Sequence, residues 1–240
     1  MITLTRLEIL RVLRNRRYLV FTIVMPVGLY LLMVSAYSGV DTLGGVSVKA
    51  YFMVTMATLG TVSASMNTNA TRIALERKSG WARQLRLTAL PGYGYVVAKI
   101  AATAASTLPA IVITFAVGYS EGVRLAAGNW LLLGLVLWVG GFVFAALGVA
   151  LGYSAGPDSL QPIVMIVYMA LLMLGGTYFQ FTGSMANFAK WTPLALYNQL
   201  GRVAQAGGSM SGGELTAILA YAAAFAALAS FLYRRDRREA

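Results

Sequence analysis

Cysteine and histidine are both absent from these 240 residues. Without cysteine there can be no disulfide, thiol nucleophile or thiolate metal site. Without histidine the commonest general base and the commonest metal ligand are missing. Charge is also scarce. Asp, Glu, Lys and Arg make up 11% of the chain, against about a quarter in soluble domains. A chain that is 58% hydrophobic cannot hide that surface in one soluble core of this size, so membrane is the leading class. The charge that exists is basic, a formal +11. It sits in three clusters between apolar runs, which fits membrane orientation better than a nucleic-acid footprint, so no nucleic-acid partner is expected. A phosphate-binding loop is missing too. Lys78–Ser79 follows Glu76 and Arg77 with no glycine-rich run before it. Any ATP-driven work would therefore use an ATPase on another chain.

A bilayer core of about 30 Å takes about 20 apolar residues as helix. Six runs qualify: Leu19–Tyr37, Ala50–Ala70, Ile100–Tyr119, Gly128–Tyr153, Gln161–Gln180 and Leu215–Tyr233. Backbone groups in lipid must be bonded internally, and the alternating strands of a barrel are absent, so the expected fold is an all-α polytopic membrane protein. Residues 1–240 read as one transmembrane domain. The Lys and Arg residues set its orientation. One side receives the N-terminal segment (Arg6, Arg11, Arg14, Arg16, Arg17), the loop after the second span (Arg72, Arg77, Lys78, Arg83, Arg86, Lys99) and the tail (Arg234, Arg235, Arg237, Arg238). The other side keeps only Lys49, Arg124, Lys190 and Arg202. The basic excess places both termini in the cytoplasm. The basic residues before the first span resemble those of a signal peptide. The run is too long for one and no small-residue cleavage site follows, so it reads as a retained anchor.

Two other segments complete the expected layout. Residues 1–17 read as an N-terminal interfacial segment, in which Ile2, Ile9 and Leu13 share a face while Leu4 and Leu7 lie with Arg11 and Arg14. Residues 181–214 form an outer segment. Its first part, "NFAKWTPLALYNQL", is apolar enough to re-enter the bilayer partway, and its second, "AGGSMSGG", reads as a linker. An ordinary outer loop is the alternative. By these boundaries the six spans hold no Asp, Glu, Lys, Arg or His. That argues against a proton relay and against an intramembrane hydrolase, while sodium coupling through carbonyls and hydroxyls stays open.

One charged stretch interrupts the chain, "ALERKSGWARQLRLTALPGYGYVVAK", from Ala74 to Lys99. Projected on a helix over Ala74–Leu87, it places Ala74, Trp81 and Leu85 on one side with Lys78 beside them. Glu76, Ser79, Arg83 and Arg86 fall on the other, at spacings of three, four and three. Trp81 suits a membrane interface. Gly80 weakens or splits the helix, and Pro91–Gly92 ends it. Such a helix either lies on anionic lipid or docks a cytoplasmic partner that reads Glu76.

The pattern "ERKSGWARQLRLTALP…K" resembles the cytoplasmic loop of type 2 permeases of ATP-binding cassette exporters, through Glu76, Arg77, Gly80, Leu85, Thr88 and Lys99. "RNRRYLVFTIVMP", with Pro26, resembles that family's first segment. "GGTYFQF…WTPLALYNQLGR" resembles the end of its fifth span and the outer segment beyond. The resemblance runs over essentially the whole chain. Ala89 stands where the family often has Pro, and Thr192–Pro193 where it often has Asn-Pro. The resemblance implies that two permease chains pair and that two ATPase subunits, carrying ATP and Mg, dock beneath them. It implies no cofactor and no catalytic residue on this chain. The charged stretch becomes the coupling helix, with Glu76, Arg77, Trp81, Arg83 and Arg86 as its ATPase-coupling residues.

A cargo path in such exporters runs between the second and fifth spans. The stripe Tyr51, Thr55, Thr58, Ser65 and Asn69 on the second span and Met165, Met169 and Met173 with Tyr168 on the fifth would suit an amphipathic ligand. The same residues also serve helix packing. The pair Gly148 and Gly152 reads as a close helix approach. The function expected is the membrane subunit of an exporter of small hydrophobic, drug- or antibiotic-like compounds in a bacterial inner membrane. The alternatives are a permease for lipid-linked glycans or lipids, a secondary carrier or channel, and a non-transporting sensor or immunity subunit.

Overall fold

A computed structural model describes residues 6–7, 10, 14, 16–43, 45–80, 92–175 and 183–239. Its regular elements are α1 (Arg16–Ala36), β1 (Thr42–Leu43), β2 (Val46–Ser47), α2 (Val48–Lys78), α3 (Gly92–Ser120), α4 (Ala127–Ser154), α5 (Pro157–Leu174), α6 (Gly183–Ala189), α7 (Pro193–Ala206) and α8 (Gly212–Glu239). The hairpin is antiparallel, pairing Thr42 with Ser47 and Leu43 with Val46. It is the one departure from helix among these elements. Ser47 then caps α2, its hydroxyl accepting from the Ala50 amide at 3.3 Å.

Helix α2 organises the bundle. At 31 residues it is about 46 Å long. It packs against α1, α3, α4, α5 and α7 and is buried nearly throughout from Val48 to Ala74. That burial explains its composition. Thr55, Thr58 and Thr61 donate to the carbonyls of Tyr51, Val54 and Ala57 at 2.9, 2.8 and 2.8 Å, one turn back. Each hydroxyl is therefore satisfied within its own helix and can sit in a dry interior. Between helices, Asn69 Nδ2 donates to Thr103 Oγ1 of α3 at 2.8 Å. Such bonds tie helices together where apolar contact alone gives little preference over lipid.

Small residues let the other helices approach. A Cβ at Gly148 of α4 would meet the Met66 backbone, lying 2.9 Å from its Cα. A Cβ at Gly152 would lie 2.8 Å from Ile73 Cβ. The Gly148–Gly152 pair is thus the close-approach seam between α4 and α2. Gly60 similarly sits against Pro26 of α1 and Ala110 of α3.

Among the described residues, four helical stretches are long and apolar enough to cross a membrane: Lys99–Ser120, Ala127–Ser154, Pro157–Leu174 and Gly212–Asp236. Six runs were expected. The described apolar part of α1, Val24–Ala36, is shorter than that criterion, and α2 owes its lower apolarity to the hydroxyls and amides just described.

Boundaries also shift. The second run continues past Ala70 to Lys78, and the third begins at Gly92, so Lys99 lies inside α3. The fifth begins at Pro157 and ends at Leu174, where Gly175 follows. The helix projected over Ala74–Leu87 is not one element. Ala74–Lys78 is the last turn of α2, Ser79 is its C-cap, and Gly80 takes φ +66°, which favours glycine and turns the chain off the helix axis. Residues 81–91 lie outside the described residues. So does most of the expected interfacial segment, of which Arg6, Leu7, Leu10 and Arg14 are helical and exposed.

The outer segment 181–214 holds two helices. In α7, Leu194, Leu196 and Tyr197 are buried. Tyr197 donates to the Leu137 carbonyl of α4 and its ring fills the space beside Gly140. Asn129 Nδ2, near the start of α4, donates to the Gln205 carbonyl at 2.9 Å. Helix α7 therefore runs antiparallel to α4, from the middle of the bundle to its hairpin end. Gly175, just past the end of α5, lies against Leu194.

Candidate functional site

The last turn of α2 gathers the charged groups that the sequence singles out. Three consecutive side chains leave it in different directions. Lys99 Nζ of α3 donates to Glu76 Oε1 at 2.5 Å, with both side chains nearly closed to solvent at 9% and 12% exposure. Glu76 was expected on a polar face open to a partner. It is instead turned into the bundle, because α2 stays helical through Lys78 and α3 begins early enough to carry Lys99 alongside.

Arg77 faces the other way. One guanidinium nitrogen donates to the carbonyls of Gly152 and Ala155, each at 3.1 Å. These belong to the C-terminal end of α4, whose last carbonyls have no partner within the helix, and a cation there also opposes the helix dipole favourably. The other terminal nitrogen lies 2.6 Å from Asp236 Oδ1 of α8. The guanidinium carbon is 5.7 Å from the Tyr153 ring, and that ring stacks edge-on with Tyr233 at 5.5 Å. Lys78 reaches Asp158, in the first turn of α5, at 3.4 Å. That pair is exposed and weak by comparison. The remaining coupling residues, Trp81, Arg83 and Arg86, lie outside the described residues.

The expected cargo-path residues do not all come together. Thr55, Thr58 and Ser65 are buried, and Tyr51 is 9% exposed. Tyr168 of α5 reaches back to α2, its hydroxyl 3.4 Å from the Leu59 carbonyl. Met165, Met169 and Met173 are 59%, 40% and 54% exposed, on the outside of the bundle. An apolar gap between α4, α7 and α8, bordered by Phe144, Pro193, Tyr197 and Tyr221, contains none of these residues. Among the described residues no carboxylate cluster could hold a metal ion.

The long-range contacts of several polar groups escaped the sequence reading, although Lys99 and Arg202 themselves are named in it. Asp236 and Lys99 pair with α2 across more than twenty residues of chain, which no local pattern reveals. Arg202 of α7 lies with its guanidinium carbon 4.1 Å from the Tyr51 ring centre. Its Nε, Asn198 Oδ1 and Gln205 Oε1 are buried without a hydrogen-bond partner among the described residues. Spacings of four and three put these side chains on one stripe of α7. Only that stripe could have signalled them.

Comparison with known proteins places this geometry. The sequence profile of the family described as "ABC-2 type transporter" matches residues 1–205. A curated Bacillus subtilis (strain 168) protein, "Putative transport permease YvfS", is 25% identical over 233 residues, covering 95% of each chain. ABC-2 permeases work with ATPase subunits and hold no catalytic activity of their own. A helical membrane bundle with basic residues at one end of its central helix, matched over most of its length by that profile, belongs to the ABC-2 type transporter family as a transmembrane permease subunit.

Proposed function

We propose that this chain is the transmembrane half of an ATP-driven exporter in a bacterial inner membrane, moving a small hydrophobic or amphipathic compound outward. In this reading residues 1–240 form one domain that crosses six times, with both termini cytoplasmic. Helices α1 and α2 cross along with the four more apolar helices. Burial of α2 among its neighbours supports this, since a hydroxyl-rich span is tolerable where protein rather than lipid surrounds it. The packing of Tyr197 halfway along α4 supports re-entry of α6–α7 from the outer side. Two permease chains pair, and two ATPase subunits carrying ATP and Mg dock beneath residues 72–99.

One observation carries the reading. The helix at the centre of the bundle runs unbroken from the hairpin end into the basic loop. Movement of that loop would therefore move the core of the domain, as a rigid-body switch requires. Trp81, Arg83 and Arg86 supply the docking face, and Glu76 and Arg77 form its base. Cargo passes where α2 and α5 meet, past Tyr51, Thr55, Thr58, Ser65 and Tyr168. The pliable Met165, Met169 and Met173 complete the path beside the second chain.

The test is reconstitution of the chain with its ATPase in liposomes, reading ATP-driven movement of a hydrophobic fluorescent dye. Arg83→Glu together with Arg86→Glu is expected to leave ATP hydrolysis running and to stop dye movement. Dye movement at the unsubstituted rate would remove the coupling role of the loop.

A further inference from the structure

The loop between α2 and α3 has two roots, the last turn of α2 and the first turns of α3. Glu76 and Lys99 join them. Their contact is the most enclosed ion pair among those described, at 2.5 Å with both side chains about one-tenth exposed. A buried pair of this kind is weak evidence for stability, because desolvation offsets attraction. Its better-attested use is to fix one arrangement among several, since losing one partner strands the other charge in a dry place. Arg77 extends the junction by holding the last carbonyls of α4 and the carboxylate of Asp236 on α8.

We infer that Glu76 and Arg77 are positioning residues for transport. They brace the two roots of the loop as one rigid unit and lock that unit to α4 and α8, and they make no contact with the ATPase. The inference rests on the exporter reading above. In that reading a push on the loop moves α2 and α3 together, and Arg77 carries the displacement to the two helices behind them. Without the Glu76–Lys99 brace the roots would part, and loop movement would be spent between them.

The test uses the full chain in complex with its ATPase, in liposomes, with the same dye. Residues along a coupling network shift coupling by about 0.5–2 kcal/mol. Glu76→Gln is therefore expected to lower dye moved per ATP by roughly 2- to 30-fold, with the ATPase still bound and hydrolysing. The exchange of charges, Glu76→Lys with Lys99→Glu, is expected to recover most of that loss. The absence of native cysteine permits a second arm that does not depend on charge. Glu76→Cys with Lys99→Cys should behave like Glu76→Gln, and a short bifunctional thiol reagent joining the two positions should restore movement. Loss of ATPase binding in Glu76→Gln would make Glu76 a docking contact and overturn the inference. So would full activity in Glu76→Gln, or a joined pair that stays uncoupled. If the unsubstituted complex moves no dye with ATP while the thiol reagent still joins the two positions, the exporter reading fails. The brace then survives as geometry and its role in transport falls.

Discussion

Replacement of Gly148 by alanine is a sharp test of how this bundle is held. The new methyl would lie 2.9 Å from Met66 Cα and 3.0 Å from its carbonyl carbon, and closer still to the carbonyl oxygen. Carbon atoms pack best at about 3.5–4.0 Å, so α2 and α4 must part by roughly 0.5–1 Å. Backbone cannot rotate away as a side chain does. Such overpacking costs about 1–3 kcal/mol. A chain of this size loses about 2–4 °C of melting temperature per kcal/mol, so a fall of about 2–12 °C follows. Gly28→Ala in α1 is the control, with nothing within 4 Å of its new methyl. Within a helix it should be neutral or stabilising by about 0.5–1 kcal/mol. Thermal unfolding in detergent, followed by tryptophan fluorescence, compares the two. Equal melting temperatures for both variants would refute the close seam.

Other outcomes follow from single contacts. Tyr197→Phe removes a buried hydroxyl donor to the Leu137 carbonyl and should cost about 0.5–1.5 kcal/mol in the same unfolding assay. A double-mutant cycle on Asn69→Val and Thr103→Val should give a coupling of about 0.6 kcal/mol and no more than about 1.7, because the bond joins two helices in a dry bundle. Lys78→Ala should change stability by less than about 1 kcal/mol, since its pair with Asp158 is open to solvent. Met165→Leu with Met169→Leu should leave unfolding unchanged, as both side chains are exposed. The same variant should raise the dye concentration needed for half-maximal export if the methionines line the path.

The sequence made the apolar runs legible because lipid imposes a length on them. The ends of α4 were read within a residue or so, since Ala126 and Ala155 leave the helix close to where the apolar run stops. The ends of α2 were not, because helix continues into charged residues as long as no glycine intervenes, and the first one after Gly60 is Gly80. The place of Glu76 was misread for the same reason. A helical projection shows only neighbours along one helix, whereas Lys99, which pairs with Glu76, is on another. Outer residues such as Leu194 and Tyr197 stand in a stretch that reads as apolar enough to re-enter the bilayer, but the sequence does not show what they pack against. Their burial depends on Gly140, Gly175 and Gly201 making room, and the need for that room is visible only in three dimensions.

The account as a whole depends on energy entering from a separate ATPase through the loop between α2 and α3. The most direct measurement is purification of the full chain from its native membrane, with ATP hydrolysis and dye movement assayed on the same preparation. An ATP-binding cassette ATPase should accompany the chain in stoichiometric amount, and dye should move only while ATP is hydrolysed. A chain that purifies without any ATPase, and moves dye with an ion gradient alone, would contradict the account.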